Sequence, residues 1–93
     1  MKIKRIICIL HSRDKRYWGF TLTDCKTGKT VSGYTTGGEC NVRTALTHDG
    51  EGWVYDYFLV RLQWKEKELF ALPFVGCHPD DIRRWVKNEF KKS

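Results

Sequence analysis

The stretch RYWGFTLTDCKTGKTVSGYTT, residues 16–36, determines the fold expected of this chain. Apolar and polar residues alternate on either side of Asp24–Gly28, which is the pattern of two strands that each bury one face. The aspartate and the glycine at the two ends of that segment suit a type I turn that finishes in positive φ. The sequence therefore predicts a β-hairpin formed by the strands Tyr17–Thr23 and Lys29–Thr36.

The length of this turn also predicts the register of the hairpin. A loop of residues 25–28 pairs Leu22 with Val31 and Phe20 with Gly33. We expect these four residues on the core face, where the missing side chain of Gly33 leaves room for an aromatic ring. The opposite face is expected to carry Tyr17, Thr21, Thr23, Thr30, Ser32, Tyr34 and Thr36.

Three further segments are expected to form strands. Ile3–Leu10 is apolar at nearly every position after Arg5, which is typical of a central strand covered on both faces. Trp53–Trp64 is the longest candidate, and Leu69–Val75 would return beside it as a second hairpin. Pro73 cannot donate to a strand ladder, so Leu69–Val75 is expected at an edge of the sheet.

Two segments have the periodicity of amphipathic helices. Glu39–Thr47 follows two glycines and places apolar residues at helical spacing. The second helix begins near Pro79, and its first turn contains Asp80 and Asp81, which favour the positive end of the helix dipole. Its apolar stripe consists of Ile82, Trp85, Val86 and Phe90.

These elements predict a single α+β domain that spans all 93 residues, because a chain of this length cannot divide into two cores. We expect about five antiparallel strands in the order β-β-β-α-β-β-α, with both helices packed on one face. Over about residues 15–47, this layout resembles the sheet-reading DNA-binding domains of plant transcription factors and of phage integrase arm-binding modules.

Positive charge is concentrated at the two ends of the chain. Seventeen Lys and Arg against eleven Asp and Glu give a net charge of +6. Residues 1–16 carry +5 and residues 76–93 carry +2, whereas residues 17–75 carry −1. If both ends lie on one side, they form a patch suited to phosphates; the alternative is a solvated surface that maintains solubility.

This charge distribution and the hydroxyl-rich hairpin face favour nucleic-acid binding, DNA or RNA, without catalysis. The predicted phosphate contacts are Arg13, Lys15, Arg16, Arg83, Arg84 and Lys87. The predicted base or sugar contacts are Tyr17, Thr21, Ser32 and Tyr34. An alternative role for the two tyrosines is simply to shield the sheet.

Soft metal ligands occur in Cys8-x2-His11 and in the adjacent pair Cys77 and His78. Zinc sites usually use close ligand pairs on a turn, whereas Cys8 lies inside an apolar strand. We therefore expect neither a metal nor another cofactor.

Nucleophilic catalysis would need a thiolate beside a base. Cys40 and Cys77 lie near predicted helix N-termini, where the dipole lowers a thiol pKa, and His48 or His78 could act as the base. No pocket-forming motif accompanies either cysteine, so we do not expect an enzyme.

A second interpretation is a protein-interaction module, such as a small phage-type or mobile-element-type regulator or inhibitor of a larger protein. Its contact surface would be Tyr55, Tyr57 and Leu59, if these side chains are uncovered. The edge strand Leu69–Val75 could also pair two copies into a homodimer.

The N-terminal segment predicts an intracellular, cytoplasmic protein. Its apolar run Ile6–Leu10 is too short for a secretory signal, and no stretch reaches the length of a membrane span. The four cysteines are too sparse for a secreted disulfide scaffold, so reduced thiols are expected.

Overall fold

A computed structural model describes residues 4–12, 17–47, 52–60 and 65–92. Within these ranges the chain is α+β, with one four-stranded sheet and three helices. The elements are β1 (Lys4–Ser12), β2 (Trp18–Asp24), β3 (Thr30–Thr35), α1 (Gly38–Thr47), β4 (Trp53–Val60), α2 (Glu66–Phe70) and α3 (Pro79–Lys91).

The predicted hairpin and its register are confirmed by β2 and β3. These strands are antiparallel, and they pair Leu22 with Val31 and Phe20 with Gly33. The turn closes with hydrogen bonds from the backbone N–H of Asp24 to the carbonyl of Lys29 (2.9 Å) and from the N–H of Gly28 to the carbonyl of Asp24 (2.8 Å). Gly28 has a φ of 76°, the conformation that the turn was expected to require.

The expectation of an entirely antiparallel sheet is wrong, because β4 runs parallel to β1. The strand order is β3-β2-β1-β4, so β1 is central, as predicted, and pairs with β2 and β4. The hairpin leaves β3 pointing in the same direction as β1. α1 then carries the chain back along the sheet, so β4 starts in the direction of β1.

The prediction that Leu69–Val75 forms a fifth strand is also wrong. Its first residues belong to α2, and its remainder makes a single parallel bridge between Phe74 and Tyr34. Two hydrogen bonds of 3.0 Å hold this bridge, from the Tyr34 N–H to the Pro73 carbonyl and from the Val75 N–H to the Tyr34 carbonyl. The end of the expected long strand, residues 61–64, lies outside the described residues.

The core lies between the sheet and the two longer helices. α1 and α3 pack on the same face, as predicted, whereas α2 lies on the opposite face. Phe20 meets the Trp85 ring edge to face at 5.9 Å between centroids, and Trp53 meets Phe90 in the same manner at 5.9 Å. The fully buried side chains include Ile6, Cys8, Leu10, Phe20, Leu22, Val42, Leu46, Ile82 and Val86.

The sequence predicts that an aromatic ring fills the space left by the missing side chain of Gly33. In the structure the Trp85 ring lies there together with the Val75 side chain. A Cβ at this position would lie 2.5 Å from Val75 Cγ2 and 3.3 Å from the Trp85 ring. It would also lie 3.3 Å from the Pro73 carbonyl oxygen. Close packing at Gly33 therefore holds both α3 and residues 73–75 against β3.

Gly33→Ala should destabilise the fold by about 1–3 kcal/mol, because the added methyl overpacks the core against Val75 and backbone. Gly19→Ala is the comparison and should cost less, since its Cβ would approach the movable end of the Leu69 side chain at 2.9 Å and no backbone atom closer than 3.9 Å. Urea denaturation of both variants measures the difference. Equal stability losses would contradict tight packing at Gly33.

Asp24 fixes the start of the hairpin turn by accepting several hydrogen bonds while buried. Its Oδ1 accepts from the backbone N–H of Lys26 (2.9 Å) and Thr27 (3.4 Å), and its Oδ2 lies 3.4 Å from Lys4 Nζ. Burial alone would raise the pKa of Asp24, but these bonds and the Lys4 ammonium outweigh it and hold the pKa below 3.8. The folded state therefore stabilises the charged form of the Asp24 carboxylate.

Acid should weaken the fold through Asp24. Its stabilising contribution is complete above the ordinary pKa of 3.8 and is lost as the pH falls through the lower folded-state pKa. Asp24→Asn should lower stability at neutral pH by about 1–3 kcal/mol and flatten the pH dependence in the acid range. Asp56→Asn is the control, because its ion pair with Arg5 is exposed. Urea melts between neutral and acid pH test this, and an unchanged acid slope in Asp24→Asn would contradict it.

Candidate nucleic-acid interface

The sheet has one face that points away from α1 and α3, and we call it the outer face. Successive side chains of a strand point to opposite faces of the sheet. Because Phe20, Leu22 and Val31 point into the core, their neighbours along each strand belong to the outer face. Its described residues are Arg5, Ile7, Ile9 and His11 of β1; Gly19, Thr21 and Thr23 of β2; Thr30, Ser32 and Tyr34 of β3; and Val54, Asp56 and Phe58 of β4.

A row of four residues crosses the middle of the outer face. Strand pairing sets Ser32 beside Thr21, Thr21 beside Ile9, and Ile9 beside Phe58. The Thr21 and Ser32 hydroxyl oxygens are 3.1 Å apart and hydrogen-bonded. Each hydroxyl keeps acceptor capacity beyond this bond. The row therefore offers polar groups at one side and an aromatic ring at the other.

An aromatic cluster, composed of Tyr17, Tyr34, Phe70 and Phe74, lies on the β3 side of the outer face. Phe70 meets Tyr17 at 5.2 Å and Tyr34 at 5.4 Å between ring centroids, both edge to face. Phe74 meets Tyr34 at 5.2 Å in a tilted arrangement. The two tyrosines are half-buried, whereas Phe70 and Phe74 are exposed. The phenylalanines therefore present the accessible rings of the cluster.

α2 reaches the outer face because of a glycine in β2. Leu69 is completely buried, and its Cδ1 lies 2.9 Å from the place where a Gly19 Cβ would be. His11 pairs with Gly19 across the sheet and is buried at the same end, where burial lowers the pKa of its imidazole. At neutral pH this histidine is therefore mainly uncharged.

Of the three residues named in the interaction-module hypothesis, the structure describes only the side chain of Tyr55. Tyr55 is half-buried and packs against the core, next to Trp53. The side chains of Tyr57 and Leu59 lie outside what the structure describes. Among the described side chains of β4, Val54 and Phe58 are the exposed apolar ones, and Phe58 is 54% accessible. The parallel register with β1 decides this assignment.

Among the described residues, Arg5 on the outer face and two lysines at the start of α2 are accessible cations. Arg5 lies 3.9 Å from Asp56, but both side chains are largely solvated, at 64% and 50% exposure, so the pair is weak. Lys65 and Lys67 are exposed at the start of α2. Arg5 lies on the outer face itself, and the two lysines lie at the start of the helix that packs on this face through Leu69.

The three cations predicted on α3 lie on the helical side of the domain, away from the outer face. Arg83 Nε donates to the Ala45 carbonyl at 2.7 Å, and its Nη1 pairs with Asp80 at 3.1 Å. Arg83 thereby links α3 to the C-terminal end of α1. Arg84 is exposed and lies 3.6 Å from Asp81.

Lys87 is buried rather than presented to solvent. Its Nζ lies 3.5 Å from the centre of the Trp53 ring, and Lys4 Nζ lies 4.5 Å from that ring and 5.1 Å from Phe90. Both ammonium groups are thus within the range of cation–π attraction. Through these contacts with the Trp53 ring, α3 and β1 both pack against the first residue of β4.

The structure brings Tyr17, Thr21, Ser32 and Tyr34 together on one face and places Arg83, Arg84 and Lys87 elsewhere. The other predicted phosphate contacts, Arg13, Lys15 and Arg16, lie outside the described residues.

Sequence reasoning missed four side chains that belong to this face: Arg5, Phe58, Phe70 and Phe74. Alternation along residues 53–60 separates Phe58 from Tyr55, but it does not indicate which of the two faces solvent.

The thiols have different environments. Burial raises the pKa of the Cys8 thiol to about 12, so this thiol remains protonated at neutral pH and is a poor nucleophile. Cys25, Cys40 and Cys77 are exposed, and none of them forms a disulfide. Among the residues with described positions, no group of three His, Cys, Asp or Glu side chains could hold a metal ion.

Comparison with known proteins gives no relative for this chain. No protein-family model matches it, and neither the curated proteins nor the solved structures provide a significant match. None of the helices in the described ranges is both long and apolar enough to cross a membrane.

Lys87→Met should destabilise the fold by about 1–2 kcal/mol, because it removes a desolvated cation–π contact while keeping a long apolar side chain. Arg84→Met, one turn earlier, is the matched control, since its ion pair with Asp81 is exposed and worth little. Thermal and urea unfolding measure both variants. Equal stability of Lys87→Met and the wild type would contradict a structural role for this lysine.

Proposed function

We propose that this chain is a nucleic-acid-binding domain that uses the outer face of its sheet and acts without catalytic turnover. The observation that carries the proposal is the composition of this face. Exposed phenylalanines stand at both of its sides, and hydroxyl groups from Thr21 and Ser32 lie between them. Aromatic rings stack on bases, and hydroxyls bond to sugars, phosphates and base edges.

The charge of the chain supports the same proposal. A net charge of +6 attracts a polyanion, Arg5 is accessible on the outer face, and Lys65 and Lys67 are accessible at the start of the helix that packs on that face. In this proposal Tyr17 and Tyr34 support the accessible rings of the aromatic cluster, while Thr21 and Ser32 contact the ligand. Arg13, Lys15 and Arg16 remain predicted phosphate contacts from the sequence.

The position of α3 changes the role proposed for its cations. A ligand on the outer face lies on the far side of the sheet from Arg84. Arg83 and Lys87 are engaged in contacts within the domain. We therefore assign these two residues to stability, and we assign Arg84 at most a long-range electrostatic contribution.

A protein-interaction module is the second candidate, favoured by one observation. β4 is the last strand in the order β3-β2-β1-β4 and exposes Val54 and Phe58 beside an edge. An apolar edge strand can pair with another chain, either a larger protein that this domain regulates or a second copy. A homodimer would use β4, since Leu69–Val75 is not a strand.

Titration with labelled DNA and RNA at two salt concentrations tests the leading proposal. Binding should weaken steeply as salt rises, because each phosphate contact releases counterions. The double variant Lys65→Gln/Lys67→Gln should bind more weakly and show a shallower salt dependence. Fluorescence anisotropy measures both quantities.

Arg84→Gln is the control, because it removes a positive charge from the helical side and should leave the salt slope close to that of the wild type. No binding to any nucleic acid at low salt would contradict the proposal. A stable protein complex that survives nuclease treatment would then favour the interaction module.

A further inference from the structure

We infer that the ligand of the outer face is a single-stranded nucleic acid rather than a duplex. This inference rests on the proposed function and names the class of ligand for the same surface. It depends on where the exposed aromatic rings lie, on how the bases of a duplex are covered, and on the polar and charged groups of the outer face.

The exposed rings stand at opposite sides of the sheet. Phe58 lies on β4, and Phe74 lies against Tyr34 of β3, so the four-stranded sheet separates them. Both side chains are 54% accessible. Three strand spacings separate β4 from β3, and Phe74 lies one spacing beyond β3, so the two residues are about 19 Å apart. Bases of a flexible single strand can reach both rings, with the chain crossing the hydroxyl pair between them.

A duplex cannot use these rings in the same manner. Its bases are stacked on one another, so their flat surfaces are covered and only their edges are accessible in the grooves. A protein reads those edges with an inserted helix or strand ribbon. In the described part of this chain, α1 and α3 lie behind the sheet, and α2 packs on the outer face through the buried Leu69. The β2–β3 hairpin is not a free ribbon either, because β2 pairs with β1 along its length and Tyr34 of β3 bonds to Pro73 and Val75.

The aromatic, polar and charged side chains of the outer face each suit a part of a single strand. Phenylalanine stacks on any base without hydrogen-bond selection, so the rings predict tolerance of base sequence. Thr21 and Ser32 can donate to or accept from a base edge or a ribose hydroxyl. Arg5, on the same face as Phe58, provides an accessible positive charge for a neighbouring phosphate.

The test compares single strands of DNA and RNA with duplexes of equal length, labelled identically and measured by fluorescence anisotropy at one low salt concentration. The wild type should bind single strands at least about fivefold more tightly than duplexes. Phe58→Ala should weaken single-strand binding by about fivefold or more, because one stacked base is lost. Its effect on duplex binding should be small.

Two further variants control for folding and for the chemistry of the ring. Phe58→Trp keeps an aromatic surface and should retain single-strand affinity. Val54→Thr changes another exposed apolar side chain on the same face of β4 and should have little effect. Circular dichroism and thermal unfolding establish that each variant is folded before its binding is compared.

The possible failures are distinguishable. If duplexes bind as tightly as single strands and Phe58→Ala binds as the wild type does, the single-strand inference is wrong while nucleic-acid binding stands. If no nucleic acid binds at low salt, the proposed function and this inference both fail. Preferential single-strand binding that is lost in Phe58→Ala and retained in Phe58→Trp supports the inference.

Discussion

Close packing at two glycines of the hairpin holds the rest of the domain in place. Gly19 and Gly33 lie on neighbouring rows of β2 and β3 and face opposite sides of the sheet. Leu69 fills the space above Gly19 on the outer face, and Val75 fills the space at Gly33 on the core face. Residues 69–75 therefore pass around the edge of β3 from one face to the other. Hydrogen bonds of Tyr34 with Pro73 and Val75 hold them at this edge.

This wrapping segment explains why the two faces of the sheet differ. On the core face its Val75 and the Trp85 ring of α3 both pack at Gly33, and Trp85 also packs edge to face on Phe20. On the outer face it delivers Phe70 and Phe74 beside the tyrosines of the hairpin. One stretch of chain thus contributes to the core and supplies two of the four rings of the aromatic cluster, so stability and the shape of the interface are coupled.

The distribution of charge follows from the same architecture. A basic helix read from sequence suggests a phosphate-binding surface, but α3 uses part of its charge inside the domain. Arg83 bonds to the end of α1, and Lys87 lies over Trp53. Lysine and arginine have long apolar stems that can bury while their cationic ends find partners, so the number of charges in a segment does not give the number available to a ligand.

The sequence by itself determined the hairpin, its register and the helices 38–47 and 79–91, because alternation, turn chemistry and helical spacing act over a few residues. It also determined that Thr21, Ser32 and Tyr34 share a face. Tertiary structure alone decided the direction of β4, the helical start of 66–70 and the exposure of Phe58. These features depend on which strand lies beside which and on what fills the space at Gly19 and Gly33. Those contacts join residues distant along the chain, and local patterns carry no record of them.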